Sequence, residues 1–375
     1  MSSTNKVVVA SAGSGKTELI VDSALAVPRS ERVLITTYTT DGQDEIRQRF
    51  IKKQGHVPAN VTILGWFAFL LRHGIRPYQH PVLAVNEIAG VIFERRSFRV
   101  AKEKVRPYYL TKNGNVYSEH AADLALLLNT RSGSAVIDRI CTVFPHIYVD
   151  EVQDISGRDF EFIEAILAGP AQVTLVGDPR QGTFATTQTR TNRGKSQSHI
   201  PVWFKELEQK GLAAIEELTH SHRCHQKICD FADLLYADMS YPATTSLQLA
   251  LTGHDGVFIV PPDRVSEYAA AYRPQVLRLD VKTKTGALEA RNFGEVKGRT
   301  FQRVMIFPSA GIEQHVLTKA NLATITRAKF YVGITRARHS VGLVLDDKSG
   351  SSGLPIWEGV ADSAISLTEI GTGND

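Results

Sequence analysis

The chain has 375 residues, 43% of them hydrophobic and 22% charged, with a formal net charge of +4. That is enough apolar material for the cores of two domains, and it excludes a disordered or a fibrous chain. A charge this small permits nucleic-acid binding without arguing for it, so only the placement of the basic residues is informative. The cysteines, Cys141, Cys224 and Cys229, lack disulfide-like spacing and fit a reducing compartment. No apolar run reaches the roughly 18 residues a spanning helix needs. No charged-then-apolar leader precedes the first predicted strand. A cytoplasmic protein with no membrane partner is expected.

Four short β-branched runs open the chain: VVVA (7–10), VLITTY (33–38), HIYVD (146–150) and VTLVGD (173–178). Each reads as a parallel strand buried on both faces. Helical stretches lie between them, at Thr17–Ala26, Asp41–Gln54 and Asp159–Ala168. A second set follows: GVFIV (256–260), QVLRLD (275–280), RVMIFP (303–308) and HSVGLVLD (339–346). The alternation predicts an α/β protein of two lobes with parallel sheets, 1–200 and 201–375. Residues 184–200 read as a surface loop, and the tail after Asp346 is expected to fray.

The first chemical signal is Ala10-Ser-Ala-Gly-Ser-Gly-Lys-Thr17, which follows a strand and opens a helix. In that setting small residues let backbone N–H groups approach phosphate oxygens. Ala12, Gly13, Ser14 and Gly15 would form the cradle, Lys16 would reach the β- and γ-phosphates, and the Thr17 hydroxyl would ligate Mg²⁺. The second signal is Ile147-Tyr-Val-Asp-Glu-Val-Gln-Asp154, a strand ending in adjacent carboxylates. Asp150 is placed to hold the metal shell and Glu151 to take a proton from the attacking water, the two roles phosphoryl transfer requires.

With Gln153 after it, this acidic pair resembles the UvrD/Rep/PcrA-like family of superfamily 1 DNA helicases, and further stretches resemble that family's motifs in order. Residues 37–49 and 62–72 are similar to the two motifs that lie along the single strand, which gives Thr37, Thr39, Thr62 and Trp66 as nucleic-acid contacts; the apolar face of Trp66, Phe67 and Phe69–Leu71 reads as core before base-stacking, with Trp66 the best candidate for exposure. Val176-Gly-Asp-Pro-Arg-Gln181 resembles the GDxxQ motif, in which Gln181 links the γ-phosphate to the DNA track. His220-Ser-His-Arg223 stands where the family has Q-N-Y-R, making Arg223 a γ-phosphate contact. Val296-Lys-Gly-Arg-Thr-Phe301 resembles KGLEF, and Tyr331-Val-Gly-Ile-Thr-Arg-Ala-Arg338 resembles the final motif, with Arg336 as the inter-lobe finger after a strand-like YVGIT. The resemblance implies two RecA-like lobes closing on ATP and Mg²⁺, and 3′-to-5′ movement along single-stranded DNA.

Several positions depart from the pattern. Asp41 stands for a lysine, Leu64 for a histidine and Thr300 for a glutamate. A glutamine segment that reads adenine in the family is missing before the first strand, so modest ATP-over-GTP selectivity is expected. The resemblance implies an insertion in each lobe: the 74 residues between Arg72 and Ile147 leave room for a reduced helical one at 72–146, and the 72 between Arg223 and Val296 are too few for the family's large second one. A rival reading follows: a DNA-sensing regulatory ATPase that controls a nuclease partner without unwinding, supported by a likeness of residues 62–78 to compact UvrD-like proteins of Gabija-type anti-phage systems. Two local readings stay open. The stretch Phe93–Lys112 interleaves basic and aromatic residues, as a single-strand platform or as a solvated basic face over buried rings. The group His220, His222, Cys224, His225 and Cys229 lacks a zinc-like pairing and is better explained by the Arg223 motif.

Overall fold

The computed structural model describes residues 5–83, 87–94, 100–183 and 191–359. Two parallel sheets organise them. The first contains β1 (Lys6–Ala10), β2 (Val33–Thr37), β3 (Val61–Gly65), β4 (His146–Val149), β5 (Gln172–Gly177) and β6 (Ala214–Leu218), in the order β3-β2-β4-β5-β1-β6. The second contains β7 (Gly256–Val260), β8 (Gln275–Arg278), β9 (Arg291–Asn292), β10 (Phe301–Phe307) and β11 (Ala337–Val344), in the order β7-β11-β10-β8-β9. The α/β class read from the sequence is therefore the observed one.

The strands are continuous apolar runs because both faces are covered. Val7 enters a core with helices α3 (Ala121–Arg131), α4 (Ala135–Val143), α5 (Asp159–Leu167) and α6 (Ile200–Gln209). Its neighbour Val8 points the other way, into a core with α1 (Lys16–Ala26) and α2 (Thr40–Gln54). Leu124, Leu128 and Ile140 share the first core with Leu34 and Val149, so residues 72–146 thicken this lobe instead of forming a separate body. In the second lobe, α7 (Gln226–Leu234), α9 (Ala310–Thr318) and α10 (Thr324–Ile334) cover one face, and α8 (Val265–Tyr272) the other.

Register then positions the site. Val9 pairs with Gly177, and Val149 with Leu175, so β1, β4 and β5 end side by side. Their following loops meet outside the carboxyl ends of the strands, where open parallel sheets bind ligands.

Four expectations need correction. The division between the sheets falls after Leu218 and not at residue 200, because β6 pairs with β1 in parallel and α6 buries Trp203 and Phe204 in the first core. This edge strand was hidden by its polar residues; Glu216 pairs with Lys6 at 2.8 Å. YVGIT is not a strand: Tyr331–Ile334 is the last turn of α10, buried on every side, where apolar content outweighs β-propensity. The tail does not fray through Gly359. Asp347 caps the Ser351 and Ser352 amides at 2.9 and 3.0 Å, and the Trp357 amide donates to the Ile259 carbonyl at 2.8 Å.

The fourth correction is Trp66, which is 1% exposed. Its Nε1 donates to Asp159 Oδ1 at 2.9 Å, and its ring packs against Tyr38, Phe69 and Phe162. It is a core residue, placed there by an apolar face that the sequence could not orient. Trp66→Phe keeps most of the volume but takes a donor from a buried carboxylate. It should lower unfolding free energy in urea by about 1–3 kcal/mol. It should leave affinity for single strands unchanged; a loss of affinity without a loss of stability would restore the stacking role.

Candidate active site

After β1 the chain turns through two left-handed glycines, Gly13 (φ 75°) and Gly15 (φ 81°). A Cβ on Gly13 would lie 2.6 Å from Arg223 Cβ and 2.8 Å from Ser221 Oγ, so glycine is what lets the segment after β6 lie against the loop. That segment is tied down: the His222 amide donates to the Gly13 carbonyl at 2.9 Å, and Ser221 Oγ to the Ala12 carbonyl at 2.9 Å. Gly15 caps α1, which puts Lys16 and Thr17 in its first turn, where unpaired amides and the helix dipole favour an anion. Ala12 departs from expectation. Its amide donates to the Tyr331 hydroxyl at 3.4 Å and its methyl lies in the second lobe's core, so it is an inter-lobe contact and not part of the cradle.

The acidic pair follows β4. Asp150 is held by its amide on the Thr36 carbonyl at 2.8 Å. Glu151 adopts a left-handed conformation (φ 55°, ψ 40°), with its amide on Asp150 Oδ1 at 2.9 Å. Such a conformation costs a non-glycine residue about 1–3 kcal/mol, and strain of this kind collects at functional positions. Glu151 faces the cleft, and Asp150, 4% exposed, lies beneath it.

Charge crosses between the lobes at this point. Lys297 Nζ lies 2.7 Å from Asp154 Oδ2 and 3.4 Å from Glu151 Oε2. Burial alone would raise the Glu151 pKa, but Lys297 and then Lys16 pull it down to about 2. Burial raises Asp150 to about 7, helped by the charge of Glu151, and raises Asp154 to about 6 against the pull of Lys297.

The loop after β5 supplies the third wall. Asp178 Oδ2 accepts from Gln181 Nε2 at 2.7 Å and from the Tyr331 hydroxyl at 3.3 Å. Gln181 Oε1 in turn accepts from Arg336 Nη2 at 3.2 Å. Arg336 is 2% exposed, and its pKa is lowered to about 9 by burial and then by the charge of Arg223. Arg223 Nη1 donates to the Thr335 carbonyl at 3.2 Å. An arginine whose charge is disfavoured by burial and by a second arginine marks a place that gains from an incoming anion.

These groups enclose a cleft of about 510 Å³, lined by Gly13–Thr17, Glu151, Gln181, Arg223 and Arg336. Glu45, Arg49, His222, Gly298, Thr300 and Arg338 line it too. All six fall inside motifs read from the sequence, which gave none of them a role at the nucleotide. A hydrated divalent cation fits the donor set. Asp150 is a buried carboxylate whose ionisation burial opposes until a cation compensates it, and Thr17 opens the helix beside it. Ser14 Oγ is buried without a partner among the described residues, as expected of a cradle built around a ligand.

The predicted strand contacts are less convergent. Thr37 Oγ1 is buried and has no partner among the described residues. Thr39 is exposed but caps α2, its Oγ1 accepting from the Gly42 amide at 3.0 Å. Thr62 pairs with Leu34, and the residue beside Thr37 is Gly65, so Thr62 lies roughly 10 Å in from the strand end. In the basic stretch, Lys102 and Tyr109 are bound to Asp123, while Arg95, Arg96, Phe98 and Arg99 lie outside the described residues.

Residues 1–186 match the family model described as AAA domain. No curated protein matches the chain. Among solved structures it is similar to the arterivirus nonstructural protein 10 helicase, at 17% identity and a TM-score of 0.45, covering 94% of this chain and 62% of that one. The complex of that helicase with DNA gives 17% and 0.47, with 94% and 63% covered. A methylated PRRSV nsp10 helicase gives 14% and 0.24, with 94% and 56% covered. The chain thus spans about three-fifths of the length of these helicases.

The Lys297 contact makes its own prediction. Lys297→Met leaves two buried carboxylates without their cation and should cost about 3–5 kcal/mol of stability at pH 7. Adding Asp154→Asn removes the stranded charge and should return most of that loss in urea melts. If the second substitution deepens the loss, the pair is not the source of the energy.

Proposed function

We propose that this chain is an ATP-hydrolysing motor on single-stranded nucleic acid, with DNA as the expected strand. The observation that carries the reading is the convergence of Lys16, Thr17, Glu151 and Gln181 from the first lobe with Arg223 and Arg336 from the segment and lobe beyond it, around one cleft. The match of residues 1–186 to the AAA domain supports the nucleotide half of it.

Each residue has a task in phosphoryl transfer. The Gly13–Gly15 amides and Lys16 hold the phosphate chain. Mg²⁺, carried by Thr17 and Asp150, would neutralise charge on the β- and γ-phosphates. Glu151 orients the attacking water and accepts its proton, which requires Lys297 to yield its place on Oε2. Gln181 and Arg223 position the terminal phosphate. Arg336 offsets the charge that grows on it in the transition state, the interaction worth most in such sites. Strand polarity of 3′ to 5′ is carried over from the family resemblance.

The rival reading, a regulatory ATPase that switches a nuclease partner, has one observation in its favour. Residues 224–295 are taken up by α7, β7, α8, β8, β9 and their loops, which leaves no body there to engage a duplex. Either way the purified chain should hydrolyse ATP on single strands and separate long duplexes poorly.

Two substitutions test the site. Glu151→Gln should retain ATP binding while turnover falls steeply, because the base is gone and the metal ligand stays. Arg336→Ala should leave ATP affinity within a few-fold and cut turnover by ~100-fold or more. Lysine should rescue it poorly, since an ammonium lacks the planar fork of donors. Wild-type turnover in either variant sinks the assignment.

A further inference from the structure

Two residues beyond Arg336, on β11, is Arg338. Its side chain lines the same cleft as Lys16 and Thr17. Its Nε is buried and has no hydrogen-bond partner among the described residues. Its backbone is fixed: the Arg338 carbonyl accepts from the His225 amide at 2.9 Å, which holds the start of β11 against the segment that carries Arg223.

The other cleft arginines are engaged. Arg336 donates to Gln181 and to the Val332 carbonyl at 3.2 and 3.0 Å, Arg223 to Thr335 at 3.2 Å, and Arg49 to Glu18 and Glu45 at 2.8 and 2.7 Å. The acids that line the cleft are also taken. Glu18 and Glu45 serve Arg49, and Glu151 faces Lys297. The cleft therefore offers Arg338 no protein carboxylate of its own. A buried donor without an acceptor is costly, and folded proteins keep few of them unless a ligand supplies the acceptor.

We infer that Arg338 is a second-lobe binding residue for the phosphate chain of the nucleotide, its Nε meeting an acceptor when that chain occupies the cleft. The inference rests on the nucleotide reading above and adds to it a contact that acts on affinity. A guanidinium pairs with phosphate oxygens in a charge-assisted, fork-like geometry. Such a contact is the same in the ground state and in the transition state, so it changes KM and leaves kcat largely alone. It also makes lobe contact depend on nucleotide, because one side of the phosphate chain would be held by Lys16 and the other by Arg338.

The test is ATP affinity in the Glu151→Gln background, where hydrolysis is slow, with Arg338→Ala and Arg338→Lys added. Arg338→Ala should weaken ATP by roughly tenfold or more, a size expected for a hydrogen bond to a charged group. Lysine should recover part of it. Inorganic triphosphate, used as a competitor, should weaken by the same factor. In the otherwise wild-type chain, Arg338→Ala should raise KM while kcat stays within about threefold, opposite to Arg336→Ala. The melting temperature without nucleotide should hold, because the buried Nε has no hydrogen bond among the described residues to lose. Unchanged ATP affinity overturns the inference. It is equally overturned if ATP weakens while triphosphate does not, since the arginine then reads the base or the ribose. Lys16→Ala separates the premises: ATP binding that survives its removal refutes the nucleotide site itself, whatever Arg338 does.

Discussion

Arg180 is the residue on which the arrangement of the lobes depends. It is 3% exposed, on the loop after β5, and it reaches in three directions. Its guanidinium lies 3.3 Å from Asp178, 2.8 Å from Asp233 on α7 and 2.7 Å from Ser11 Oγ at the end of β1. Tyr241 and Tyr331 hold it between their rings, at 5.4 and 5.2 Å from the centroids. Its carbonyl accepts from the Tyr236 hydroxyl at 2.8 Å. A charge this deep is tolerable only when every donor is met; leaving it or its partners unpaired would cost several kcal/mol. Gln181 is the next residue, so the position of the loop after β5 is set by a contact that belongs to both lobes.

The seam around Arg180 differs from the cleft beside it in how its charges are balanced. In the seam, cations meet anions. In the cleft, Arg336 faces Arg223, and Asp150 lies beside Glu151. Like charges brought together in a buried place raise the energy of the unliganded state, which an anionic substrate and its cation would lower. Lys297, from the second lobe, offsets part of that acidic charge at Glu151 and Asp154.

Much of this was legible in the sequence, and the misses share a cause. The eight strands read from apolar runs fall within a few residues of their observed bounds, because buried parallel strands leave unbroken β-branched runs. The glycine-rich loop and the acidic pair are local patterns, and each follows the strand that was read before it. What was missed depends on long-range pairing. Lys297 and Asp154 are 143 residues apart, and Tyr331 meets Ala12 across 319. Nothing local in GDPRQ distinguishes a buried hub at Arg180 from a solvated arginine. Trp66 failed for the reverse reason: a helix face of Trp, Phe and Leu states that something is buried, and only packing states which ring. β6 was invisible because an edge strand needs apolar residues on fewer positions than a central one.

Two kinds of inter-lobe contact can now be separated, and the separation bears on how such a molecule could move. Arg180 with Asp233, Tyr236 with the Arg180 carbonyl and Tyr331 with Ala12 involve groups with no role in the proposed chemistry, all close to the ends of β1 and β5. Lys297 with Glu151 and Arg336 with Gln181 involve the groups to which that chemistry is assigned. Opening the first set would strand a guanidinium in a dry seam. Exchanging the second set trades one charge-assisted contact for another once phosphate is present, at far smaller net cost. On the proposed reading, the first set serves as the pivot and the second as the contacts that nucleotide rewrites. A lobe motion that keeps Arg180 buried while it releases Glu151 from Lys297 is then the least costly way for binding in the cleft to be felt beyond it.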